Sequence, residues 1–184
     1  MKINNKFWNN KKVLITGHTG FKGGWLSVML NQLGSQVSGY SLNPTGRYNF
    51  FNSVKVKKYL KHDFRKNLSD LQYLKKSINK INPEIIFHLA AQSSVIESFQ
   101  KPSETIISNV LGTSNILEAI KNNNRVKCLI IITTDKVYQN YKGNKYFDEN
   151  SKLGGDDIYS GSKACCEIIT SSYVKSFYSS IKCK

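Results

Sequence analysis

The sequence predicts a doubly wound α/β fold, a parallel sheet with helices on both faces, and three observations predict it. Short apolar runs rich in β-branched residues alternate with amphipathic segments along nearly all 184 residues. The runs are near-continuous rather than alternating, as in strands buried on both sides. A glycine-rich stretch, GHTGFKGG, lies where the first run gives way to a helical pattern. With 40% hydrophobic and 21% charged residues the chain is ordinary for a globular protein, and it holds one domain, 1–184, rather than two full ones.

KKVLITG reads as a buried first strand. GGWLSVMLNQLG follows as a helix with Trp25, Leu26, Met29, Leu30 and Leu33 on one face and Gly34 as its C-terminal stop. QVSGYSL is the second strand, NPTGRYNFFNSVKVKK an irregular basic stretch, and KYLKHDF a short third strand. Ser69 and Gln72 have the spacing of a capping box, and Asn82-Pro83 ends the helix they open. EIIFHLAA is the fourth strand, residues 103–122 a helix, KCLIIITT the fifth strand, and a last helix starts near residue 159.

Composition excludes several classes. No apolar run reaches the roughly 20 residues of a membrane span. MKINNKFWNNKK lacks the apolar core of a signal peptide, so a cytoplasmic protein is expected. Cys128, Cys165, Cys166 and Cys183 form neither a C-x-x-C pair nor a cluster with histidine, which argues against zinc or a disulfide framework. The net charge of +15 comes from scattered lysines without a nucleic-acid motif, and reads as a basic solvated surface.

Gly17, Gly20 and Gly23 recur every three residues between strand and helix. Gly17 suits a tight turn, Gly20 close approach of a phosphate, and Gly23 close packing of the helix on the strand. The helix start offers bare N–H groups and a positive dipole end to a pyrophosphate; the bland alternative is a tight turn that binds nothing. The acidic residue that usually closes the second strand of a dinucleotide site is missing from GYSLNP. Ser41 or Asn43 could take a ribose hydroxyl there, and Arg47 a 2′-phosphate, so spacing leaves NAD and NADP both open.

YSGSK puts Tyr159 and Lys163 on one helical face. An ammonium beside a phenol favours phenolate and lowers the tyrosine pKa from about 10, which makes a general base. TTDKVY closes the fifth strand with Thr134, Asp135 and Lys136, where a hydroxyl and two ionisable groups should emerge at the sheet's carboxyl edge. A polar strand end and a surface helix are the plain readings of either segment alone.

TGHTGFKG, HDFR, FHLAAQ, NVLGT, TTDKVY and YSGSK, in this order, resemble the extended short-chain dehydrogenase/reductases, and within them the nucleotide-sugar 4,6-dehydratases. GHTGFKGGWL and GGDDIYSGSKACCE are most similar to the branch acting on CDP-glucose. The resemblance implies a Rossmann-like sheet truncated before its last strands, because such enzymes continue through a C-terminal substrate-binding domain that this chain lacks. It implies NAD as cofactor, held by Gly17, Gly20, Phe21, Lys22 and Gly23. Asp63 and Phe64 would hold the adenine, with Leu89, Ala90 and Ala91 beside the nicotinamide ribose. Asn109 would order the active-site helix.

The implied catalytic set is Thr134, Asp135, Lys136, Tyr159 and Lys163, acting on a nucleotide-sugar. Tyr159 and Lys163 would also touch the cofactor, and no metal is implied. The implied partner is a second copy, through helices near residues 106–120 and 159–178. Expected functions are a fragment of a working dehydratase or, alternatively, a truncated NAD-binding protein without turnover. A basic nucleic-acid module is the outlying alternative.

Overall fold

The computed structural model describes residues 5–139 and 146–178, and the chain divides into two compact units. The first comprises residues 1–90 and 122–132, the second residues 91–121 and 133–184.

The first unit begins with a helical turn, α1 (Asn5–Trp8), and carries the whole sheet: β1 (Lys12–Thr16), β2 (Gln36–Ser41), β3 (His62–Arg65), β4 (Ile85–His88) and β5 (Cys128–Ile131). All pairings are parallel and the order is β3-β2-β1-β4-β5. Val13 is in register with Val37 on one side and Ile85 on the other. Helix α2 (Phe21–Gln32) joins β1 to β2, and α4 (Leu71–Ile81) joins β3 to β4. Because the strand order reverses direction between these crossovers, right-handed connections put α2 and α4 on opposite faces. The reversal falls between β1 and β4, at whose carboxyl edge the glycine loop begins.

Val13, Ile15, Leu30, Val37 and Ile85 form the core, with Leu26 and Leu33 packed against it. Each such buried side chain contributes roughly 1.5–3 kcal/mol. Helix α2 departs from its expected face: Leu26, Leu30 and Leu33 point inward, but Trp25 and Met29 are 53% and 44% exposed. The inner surface is completed instead by Gly23, Gly24, Ser27 and Val28. Glycine lets this helix approach too closely for a broad stripe of large residues, and Trp25 stacks outside on Phe50 at 4.9 Å.

The stretch expected to be irregular folds into α3 (Phe50–Ser53) and a 3₁₀ turn, Val56–Tyr59; Phe51 and Val56 form a small cluster with Val28. Asp70, not Ser69, caps α4, accepting from Tyr73 N at 2.9 Å. The expected stops hold, with Asn82 left-handed at φ 52° after α4 and Gly34 at φ 91° after α2.

The second unit contains α5 (Val95–Gln100), α6 (Pro102–Ile106), α7 (Gly112–Ile120) and α8 (Ile158–Phe177). The single helix expected over 103–122 is thus interrupted by a π segment, Ile107–Leu111. Cys166 is buried, Cys128 and Cys165 are exposed, and Cys183 lies outside the described residues. Among the described residues no helix is long and apolar enough to cross a membrane.

Candidate active site

In the first unit, Gly17 takes φ +76°, and a β-carbon there would lie 2.7 Å from Ala90 N. At Gly23 it would lie 2.3 Å from Gly17 O. The loop is therefore folded back on itself as tightly as backbone allows, with Gly17 N donating to Tyr40 O at 2.9 Å. Gly20 is the N-cap of α2 and supplies no side-chain acceptor, whereas α4 and α8 open on aspartates that do. The first turn of α2 thus has no side-chain acceptor for its N–H groups, an arrangement that fits the pyrophosphate of a dinucleotide. Phe21 and Lys22 are exposed there, and Leu89 and Ala90 are tied to Thr16, the residue before Gly17, by their backbone N–H groups at 3.2 and 3.1 Å.

At the end of β2, Ser41 and Thr19 share a 2.7 Å hydrogen bond between their hydroxyls. Arg65 donates to Leu42 O at 3.0 Å, while Arg47 stays exposed over Tyr48. Asp63 lies on β3, where its Oδ1 accepts from His18 Nε2 at 2.8 Å and Arg65 Nε at 2.7 Å. Its Oδ2 accepts from Arg65 at 2.9 Å. Burial pushes this carboxyl up, but the bonds from His18 and Arg65 outweigh it and bring the pKa to about 2. Burial also holds His18 below its ordinary value, against the opposing pull of Asp63. Phe64 is half-buried beside Tyr73.

In the second unit, Thr134 caps a 3₁₀ turn, Asp135–Val137. Its hydroxyl donates to Asp135 Oδ1 at 3.0 Å and accepts from Lys136 N at 3.4 Å. Asp135 and Lys136 are exposed, and Ala91 is half-buried. Asp157 caps α8, accepting from Ser160 N at 2.9 Å and Ser160 Oγ at 2.6 Å. Its carboxyl is pushed up by burial but ends below its ordinary value because both Ser160 bonds favour the anion. That cap fixes the turn carrying Tyr159, which is half-buried, and Lys163, which is 6% exposed. Burial lowers the Lys163 pKa, and the nearby Cys166 and Glu167 act the other way.

Asn109, in the π segment, donates to Ser162 Oγ at 2.9 Å and clasps Gln92 through both its amide atoms at 2.8 and 3.0 Å. A π turn widens the helix by one residue and here aims an amide at α8. Thr133 donates to Glu167 at 2.5 Å, tying the segment before Thr134 to the same helix.

Sequence reasoning assigned no role to His18, Arg65, Asp157 or Glu167. A signal for His18 existed in Gly39, a glycine inside a strand, which marks close approach by a bulky neighbour. Among the described residues no three His, Cys, Asp or Glu side chains group as metal ligands.

Parallel order, glycine loop and Tyr-x-x-x-Lys helix define a protein of the short-chain dehydrogenase/reductase type. Residues 14–183 match the family described as GDP-mannose 4,6 dehydratase, and the chain belongs to it. It is 39% identical over 176 residues to the CDP-glucose 4,6-dehydratase of Salmonella typhimurium, covering 96% of this chain and 49% of that one. To the dTDP-D-glucose 4,6-dehydratase of Dictyostelium discoideum it is 33% identical, covering 91% and 41%. Among solved structures, the UDP-glucose 4-epimerase of Thermus thermophilus in complex with NAD superposes with a TM-score of 0.76 at 26% identity, over 90% of this chain and 51% of that one. The chain spans about half the length of the curated relatives it matches.

Proposed function

We propose that residues 1–184 are the NAD-binding part of a nucleotide-sugar 4,6-dehydratase that converts CDP-glucose to CDP-4-dehydro-6-deoxyglucose. The observation carrying this reading is the uncapped first turn of α2 behind a glycine loop in a chain of this family. The similarity to the Salmonella typhimurium enzyme favours CDP-glucose as substrate. Gly17, Gly20, Phe21, Lys22 and Gly23 hold the pyrophosphate of NAD, Asp63 and Phe64 its adenine, and Leu89, Ala90 and Ala91 line its nicotinamide ribose. NAD held there would supply the hydride acceptor and donor that oxidation at C4 and reduction at C6 of the sugar require.

The chain's own groups move the protons. Tyr159 takes the proton of the 4-hydroxyl, helped by the Lys163 ammonium and the Thr134 hydroxyl. The resulting ketone acidifies C5, whose proton goes to Lys136 and is given back to C5 when C6 is reduced. Asp135 protonates the departing 6-hydroxyl, which leaves as water. Ile106, Ile107 and Leu111 before α7, with Ile168 and Phe177 on α8, are exposed apolar residues that support a homodimer through these helices.

The test is to titrate the chain with NAD and NADP and to assay the full-length protein with CDP-glucose, dTDP-glucose and GDP-mannose. Tighter binding of NAD and a 4-keto product from CDP-glucose alone are expected. Product from another nucleotide-sugar would move the specificity, and no NAD binding would overturn the reading.

A further inference from the structure

His18 occupies a position in the glycine loop where a small residue would be enough to make the turn. Its side chain is 0% exposed. The ring lies flat against β2: a β-carbon on Gly39 would sit 2.3 Å from it. Phe51 closes the other side, edge-on at 5.7 Å between ring centres. Within this enclosure Nε2 reaches Asp63, and Nδ1 has no hydrogen-bond partner. An ionised carboxylate only accepts, so Nε2 carries the proton and donates to Asp63. The charged and titratable groups around the ring are Asp63 and Arg65.

Asp63 has about four lone-pair positions. His18 and Arg65 Nε take the two on Oδ1, and the second Arg65 nitrogen takes one on Oδ2. One acceptor position remains, on Oδ2, and its direction is fixed because three donors lock the carboxylate. Arg65 is itself held by Leu42 O and by Phe51, whose ring centre lies 4.6 Å from the guanidinium carbon. A single fixed acceptor on a half-buried anion selects a ligand that offers one N–H.

We propose that His18 is a positioning residue that turns Asp63 into a reader of the exocyclic amino group of adenine. The inference rests on the reading above that Asp63 holds the cofactor's adenine. His18 does not touch the cofactor; it fixes which oxygen of Asp63 is left to accept. Without its donor the carboxylate pivots on Arg65 and also accepts from water.

The experiment compares the affinities of NAD and nicotinamide hypoxanthine dinucleotide, which carries a carbonyl in place of the amino group, on the full-length protein. The unaltered protein is expected to prefer NAD by at least about tenfold, the weight of a hydrogen bond to a charged acceptor. His18→Leu, which fills the same space without a donor, should bring that ratio below about threefold, while His18→Gln, which can still reach Asp63, retains it. A second pair avoids reliance on the leucine variant folding: His18→Gln should discriminate, and His18→Asn, one methylene shorter, should not. No preference in the unaltered protein would remove Asp63 from the adenine site and leave the premise wrong. A preference that survives in both His18→Leu and His18→Asn would overturn the role of His18 alone. So would variants whose melting temperature falls while the ratio stays unchanged, since that is filling of space and nothing more.

Discussion

Helices α2 and α8 start in opposite ways, and the difference separates two kinds of site. Before α2 stands Gly20, with no side chain to satisfy the first N–H groups. Before α8 stands Asp157, which bonds both the backbone and the hydroxyl of Ser160. An uncapped terminus keeps its dipole and donors for a ligand; a capped one is finished, and what it offers is the side chains of its first turns. On the proposed function, the backbone of α2 is the binding element, and Tyr159 and Lys163 are the reactive ones.

The largest expected effect lies on α8. Tyr159→Phe should lower turnover by about 10²–10⁴-fold in the full-length protein, the weight of a positioned general base. NAD affinity should change far less, which steady-state kinetics beside a binding titration will measure. Comparable losses in both would mean that α8 is a binding element too.

Acid sharpens the contrast next. Asp63 has its pKa lowered to about 2 in the folded chain. It contributes stability that is complete above the unfolded value near 3.8 and disappears as pH falls towards 2, about 2 kcal/mol in all. His18 acts in the same direction at higher pH, because the unfolded chain takes up a proton below 6.5 that the folded chain resists. Urea midpoints from pH 7 to 2 should therefore fall in two stages, and His18→Leu should flatten the first.

Gly20→Asp exchanges the free terminus of α2 for a capped, negatively charged one. NAD affinity should drop by about tenfold or more in a binding titration, beyond any loss of stability from the new β-carbon, which meets Gly17 O at 3.3 Å. Asp157→Ala makes the smallest change, removing the cap of α8 at a cost of about 1 kcal/mol in urea unfolding with NAD affinity unaltered.

The strands and the last helix were legible because each depends on local pattern: an apolar run for β1, β2, β4 and β5, and a spacing of four that puts Tyr159 and Lys163 on one face of α8. What escaped depends on contact across the sequence. Trp25 and Met29 belong to the periodic apolar stripe of α2 yet lie outside, because Gly23 against Gly17 draws the helix in and leaves no room beneath it for a large side chain. Ser69 and Asp70 both have cap chemistry, and only the fold chooses between neighbours. The π segment around Asn109 continues a helical pattern with one extra residue, to which periodicity is blind. The Asp63 cluster joins residues 45 positions apart, and no local window contains it.

The fit of His18 over Gly39 also constrains the order in which the sequence can change. A methyl group at position 39 would lie 2.3 Å from the imidazole at 18, so Gly39→Ala requires position 18 to become small first. Residues 18 and 39 therefore form a ratchet: a lineage that loses the histidine and then gains the alanine cannot recover the first without reversing the second.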